Sequence, residues 1–173
     1  ALREEGMVQD MPLEEAMARL KEAEGNGLVV IVEPSDNIGA GAPGDGTSCL
    51  RALIEHEISD SAVCICDAEA VDQLFNHPPT DRPVRLSVGG KGSRVDPGPY
   101  EVEVVVRKMS EAGRFRLQDS QSHLASLSGD HFDMGRWALV ESVAGPLILL
   151  TSRPVPPFDL AQWSHVGIQP KKL

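Results

Sequence analysis

Basic residues are scarce in this chain. Lys and Arg number 16 against 26 Asp and Glu, giving a formal net charge of −10 and a sequence pI near 4.9. Nucleic acid and anionic membrane both need basic surface, so neither is expected as a partner. No apolar run approaches the ~18 residues that a membrane-spanning helix needs. The start, Ala1-Leu2-Arg3-Glu4-Glu5, lacks the apolar centre of a secretion signal. Cysteine is rare too: Cys49, Cys64 and Cys66 are three thiols, an odd number. That fits a reducing, cytoplasmic setting better than a disulfide framework. Cys64 and Cys66 lie two apart in an apolar run, on one side of a strand, and are expected as buried core thiols. The histidines, His56, His77, His123, His131 and His165, form no His-x-x-x-His or His-Glu-x-x-His motif. Surface positions are expected for them, and no metal site within this chain. Gly-x-Ser-x-Gly and Cys/His nucleophile signatures are missing as well.

What is present suits a soluble α/β chain. Its 173 residues are enough for a real core. Leu13, Ala16, Met17 and Leu20 repeat at helical spacing within 11–24, after Pro12 and with Glu14 and Glu15 at the positive end. Gly25-Asn26-Gly27 stops that helix. Leu28–Val32 is a continuous apolar run, expected as a strand covered on both faces. Leu50, Leu53, Ile54 and Ile58 mark a second helix, with Thr47 or Ser48 as its cap, and Ala62–Cys66 a second strand. Residues 28–66 therefore predict a βαβ unit. A short helix over 68–75 and a loop over 76–81 follow.

Beyond residue 82 the period changes to two. Val84, Leu86 and Val88, then Val102, Val104 and Val106, alternate with polar residues and predict antiparallel strands. Arg114–Leu117 is a further strand, 118–133 a long polar loop, and 137–140 with 147–151 a hairpin. Phe158–Ser164 is a last short helix. The expected class is α/β, a mixed sheet with an N-terminal βαβ unit and a β-rich antiparallel second half. One domain is expected, with a separate β layer over 82–157 as the alternative.

One stretch stands out for chemistry. After Val32 comes Glu33-Pro34-Ser35-Asp36-Asn37-Ile38-Gly39-Ala40-Gly41-Ala42-Pro43-Gly44-Asp45-Gly46-Thr47. Gly39, Gly41, Gly44 and Gly46 would let backbone N–H groups approach a ligand, next to a helix start. No Gly-Lys-Ser/Thr follows, and Asp36, Asn37 and Asp45 would repel a pyrophosphate, so nucleotide phosphate is a poor fit. A tight turn needing glycines is the plain alternative. Asp36 and Asp67 each follow an expected strand, where open α/β sheets hold ligands. A helix cap is the plain role for Asp67. Lys91, after Gly89-Gly90, is either a cation at a strand end or part of a turn.

Read in order, these segments resemble the C-terminal domain of the microcystinase C family of metallopeptidases. The series is Asp36-Asn37-Ile38-Gly39-Ala40-Gly41 with Gly44-Asp45-Gly46-Thr47, then Leu86-Ser87-Val88-Gly89-Gly90-Lys91, Met134-Gly135-Arg136-Trp137, Thr151-Ser152-Arg153 and Gly167-Ile168-Gln169-Pro170. The resemblance covers roughly residues 12–173. It implies a zinc-dependent hydrolase of peptide or other amide bonds, about twice this length or more. Its zinc would be bound by an N-terminal domain absent here, so the chain is expected to be a piece of a longer protein. The named family member cleaves a linearised cyanobacterial peptide toxin. Asp36 and Asn37 would orient the substrate or a catalytic group. Gly39, Gly41, Gly44, Asp45, Gly46 and Thr47, with Asp67 and Lys91, would contact substrate. The partners implied are that N-terminal domain and a peptide or other amide substrate; a homo-oligomer stays open as well. Two other classes stay open: a stand-alone module for a carboxylated or phosphorylated small molecule, and a structural or dimerisation domain.

Overall fold

The computed structural model describes residues 10–23, 27–76 and 82–170. Nearly all of the expected start, Gly25 and Asn26 of the glycine stop after the first helix, most of the loop over 76–81 and the chain end at 171–173 lie outside these. Three helices open the described chain: α1 (Leu13–Glu22), α2 (Ser48–Glu55) and, after strand β1 (Ala62–Cys66), α3 (Ala68–Asn76). Each has one apolar face. Met17 of α1 packs fully buried against Ala52 and Leu53 of α2, and α3 turns Ala70, Val71 and Leu74 inward.

Strands β2 (Val84–Val88), β3 (Tyr100–Ser110), β4 (Arg114–Arg116), β5 (His131–Asp133), β6 (Trp137–Ser142) and β7 (Leu147–Thr151) follow. Five share one sheet in the order β1-β7-β6-β3-β2, with β1 parallel to β7 and every other pair antiparallel. The class is the mixed α/β sheet with an antiparallel second half. Strands from both halves of the chain share this sheet, so 82–157 is not a separate layer. β4 and β5 pair in a small second sheet.

Period two explains the layering. Ala138, Val140, Ile148 and Leu150 join Leu50, Ile65 and the α3 residues on one face; Trp137, Leu139 and Leu149 join Phe115, Val155 and helix α5 (Ala161–Val166) on the other. Trp137 is 2% exposed, and its indole N–H is satisfied by the Ala112 carbonyl at 2.9 Å.

Three expectations need correction. Leu28–Val32 belongs to no sheet: no backbone hydrogen bond among the described residues joins it to β1, and Val30 and Val32 are 70% and 76% exposed. β-branching favours extended backbone, but a strand also needs a ladder partner. The end of β1 instead bonds to the glycine loop, Cys66 N–H to the Gly44 carbonyl at 2.8 Å. Of the βαβ unit, the second strand forms as expected. Second, 118–133 is not loop throughout. It holds helix α4 (His123–Ser128), capped by Ser122, and β5, which pairs with β4. Third, the last helix starts at Ala161 rather than near Phe158.

Cys64 packs against the cluster under α5, and its Sγ accepts from Gln162 Nε2 at 3.3 Å. Burial, then the neighbouring Cys66 thiol, push Cys64 up to about 12. Burial also raises Cys49 and Cys66. A thiol reagent needs thiolate. Cys64 and Cys66 are half-buried rather than fully buried, so in native protein at pH 8 the raised Cys64 thiol should react with an aromatic disulfide well below the rate seen after denaturation, which exposes all three thiols. Rapid native labelling of Cys64, read by peptide mass spectrometry, would contradict this packing.

Candidate functional site

The glycine loop is closed by its own acids. Asp36 Oδ1 accepts from the Gly44 N–H at 2.9 Å and Oδ2 from the Gly46 N–H at 2.6 Å. Asn37 Oδ1 accepts from Gly39 N–H at 2.9 Å and caps one turn of 3-10 helix, Ile38–Ala40. Gly41, at φ 91°, ends that turn by donating to the Ile38 carbonyl at 3.0 Å. All four glycine N–H groups thus have partners inside the chain. The expectation that they donate to a ligand meets a different geometry: a carboxylate occupies the place an anionic ligand would take.

Asp45, 5% exposed, reaches across to the turn after β2. Its Oδ2 accepts from the Lys91 N–H at 2.7 Å and the Gly92 N–H at 2.6 Å, and its carbonyl accepts from Gly90 N–H at 2.7 Å. Thr47 precedes α2 but does not cap it with its side chain. Its N–H donates to Asp96 Oδ2 at 2.8 Å, and its hydroxyl lies 3.0 Å from Asp96 Oδ1 and accepts from Arg51 Nε at 3.0 Å. Two loops, 36–47 and 89–98, are thereby knitted together at the carboxyl end of β1.

Asp67 also sits at that end. It caps α3 through Ala70 N–H at 3.0 Å, accepts from Gly89 N–H at 2.8 Å, and pairs with Lys91 Nζ at 3.0 Å. Glu69 takes the same ammonium at 3.2 Å. The Lys91 charge is therefore spent on α3. Asp36, Asp45 and Asp67 all lie close enough to Cys66 to raise its thiol, after burial as the main cause and against the Thr151 hydroxyl.

Between the loops is a small cavity, about 50 Å³, lined by Glu33, Asp36, Asp45, Gly46, Ser48, Ser93, Val95 and Asp96 among others. Of the expected site residues, Asp36, Asp45 and Gly46 line it. Asn37, Gly39, Gly41, Gly44, Thr47, Asp67 and Lys91 do not, although Gly44 and Thr47 hold its walls. Glu33, Ser93 and Asp96 were not anticipated. Asp96 stands 49 residues from Thr47 in sequence, in an Asp-Pro-Gly-Pro turn whose composition suggests only a turn.

Among the described residues no three His, Cys, Asp or Glu side chains are placed to hold a metal ion. His56 faces Glu14, His131 faces Asp130, and His165 lies against Phe115 and Trp137. These residues do not fit a zinc ion.

The sequence matches the family described as MlrC C-terminus over residues 31–173. The chain belongs to this family. No curated protein matches it. Among solved structures, this MlrC C-terminal chain is similar to one from Mesorhizobium sp. BNC1, named there only provisionally as a metallopeptidase. The TM-score is 0.82 at 23% identity, covering 98% of this chain and 32% of that one. That likeness shows a shared fold. The chain spans about a third of that neighbour's length. No helix among the described residues is long and apolar enough to cross a membrane.

Proposed function

We propose that this chain is the substrate-side domain of a cytoplasmic metallopeptidase that hydrolyses peptide or other amide bonds. The metal, zinc on this reading, is held by an N-terminal domain of the same protein. The observation that carries the reading is the family match over 31–173. The neighbour named provisionally as a metallopeptidase supports it, as does the cavity at the carboxyl end of β1.

The chain's own part is positional. Asp36 fixes the loop, and the loop edge with Asn37 faces the metal-bearing domain and orients the scissile bond. Asp45, Asp96 and Glu33 present acidic surface to the substrate. This arrangement disfavours the module for phosphate or carboxylate, since its N–H donors are taken and its lining is acidic.

The test is hydrolysis by the full-length protein. Linear peptides should be cleaved, a chelator should abolish cleavage, and zinc should restore it. A metal-loaded full-length protein that cleaves no peptide or amide in a broad panel would end this reading.

A further inference from the structure

We propose that the cavity between the two loops is a recognition site for a primary ammonium group. Three observations carry this. The first is sign: Glu33, Asp36, Asp45 and Asp96 line it, and no Lys or Arg among the described residues does. Lys91 is held by Asp67 and Glu69, and Arg51 by Thr47 and the Gly98 and Pro99 carbonyls.

The second is an unmet acceptor. Asp45 lines the cavity and is 5% exposed. Its Oδ2 is taken by the Lys91 and Gly92 N–H groups, while its Oδ1 is fully buried and has no hydrogen-bond partner among the described residues. A buried carboxylate oxygen without a donor costs free energy, and a donor arriving there recovers it. Among the other carboxylates, both oxygens of Asp36 and of Asp96 already accept from the chain, and Glu33 Oε1 accepts from Ser35.

The third is size and number. A cavity of about 50 Å³ holds one or two water-sized groups. An ammonium head has that size and brings three donors. A metal ion needs several converging ligands, which are not assembled here among the described residues. Ser48 and Ser93 hydroxyls supply further acceptors in the wall. A free amino terminus or a lysine side chain has the required chemistry. As a statement about substrates this rests on the hydrolase reading; as a statement about binding it does not.

The experiment titrates the full chain with methylammonium at constant ionic strength and follows backbone amide resonances. The Lys91 and Gly92 N–H signals, bonded to Asp45, should move saturably. Tetramethylammonium, which has no N–H, should move them no more than sodium does. Asp45→Asn should weaken binding by ~10-fold or more, the loss expected for a charge-assisted hydrogen bond. Because Asp45 also holds the turn, Val95→Trp serves as a second variant. Val95 lines the cavity, is 87% exposed and uses no polar group, so tryptophan there should block binding with the fold intact.

The proposal is overturned by an absent or unsaturable response, by an equal response to tetramethylammonium, by preferential binding of zinc or magnesium, or by undiminished binding in both variants. Methylammonium binding without peptide cleavage by the full-length protein would sink the hydrolase reading alone. Cleavage with no ammonium site, and no preference for free over acetylated amino termini, would sink this inference alone.

Discussion

Gly90→Ala should lose roughly 2–4 kcal/mol of stability, the sum of left-handed backbone strain and overpacking. Gly90 sits at φ 62°, and an added Cβ would overlap the Gly98 carbonyl group and Asp96 Oδ1. Neither neighbour is free to retreat. The Gly98 carbonyl accepts from Arg51 Nη2 at 2.9 Å, and Asp96 Oδ1 accepts from the Gly98 N–H at 2.8 Å. Relief would have to unlock the Thr47–Asp96 pairing, so the damage reaches the candidate site. Gly98→Ala is the matched control. Its φ is 103°, but nothing lies within 4 Å of the added Cβ, so it should show strain alone, about 1 kcal/mol. Urea unfolding of both variants measures the difference. With total stability for a domain on the order of 5–15 kcal/mol, the Gly90 loss should be plain in the midpoint. Equal losses in the two variants would mean that the close approach of the loops is not what demands glycine at position 90.

The contrast between those two glycines shows where sequence reading reaches its limit. Gly89-Gly90-Lys91 could be read as a turn, but not that its backbone lies under Asp45 and Gly98. Local patterns were legible: the α1 and α2 faces, the alternation in β2 and β3, and the β6–β7 hairpin follow from spacing alone. Leu28–Val32 misled because its β-branched run carries extended propensity, whereas the ladder partner is a non-local fact. Helix α4 was missed because its six residues rest on the Ser122 cap rather than on a long apolar face. At the site, Asp36, Asp45 and Gly46 stood out as an acid-and-glycine loop. The glycines suggest N–H donors for a ligand, but Asp36 and Asn37 are long enough to take three of those four N–H groups first. Asp96 and Glu33 carry no local mark, since their meaning comes from the approach of the 89–98 loop.

Asp36→Ala in the full-length protein should cut turnover by ~100-fold or more, the scale on which misplaced catalytic geometry acts, at unchanged metal content. Asp36 ties both Gly44 and Gly46 to the start of the loop. Removing it frees two N–H donors, each in a charge-assisted bond worth on the order of 1.5–3 kcal/mol. The loop then loses the geometry that places Asn37 and the cavity wall. Asp36→Asn is not a neutral substitute. Its amide oxygen can keep one glycine N–H, but its NH₂ group meets the other donor to donor. Asn should therefore fall between wild type and Ala, with kcat falling more than KM rises if the loop acts on the reacting bond. Ser126→Ala, which removes only a hydroxyl donating to the His123 carbonyl on the exposed side of α4, should leave kcat near wild type. Metal analysis on each variant separates the positional role from loss of cofactor: a fall in bound metal parallel to turnover would place Asp36 in support of the metal-bearing domain instead. Wild-type turnover in Asp36→Ala would remove this loop from the chemistry altogether, whatever the family match implies.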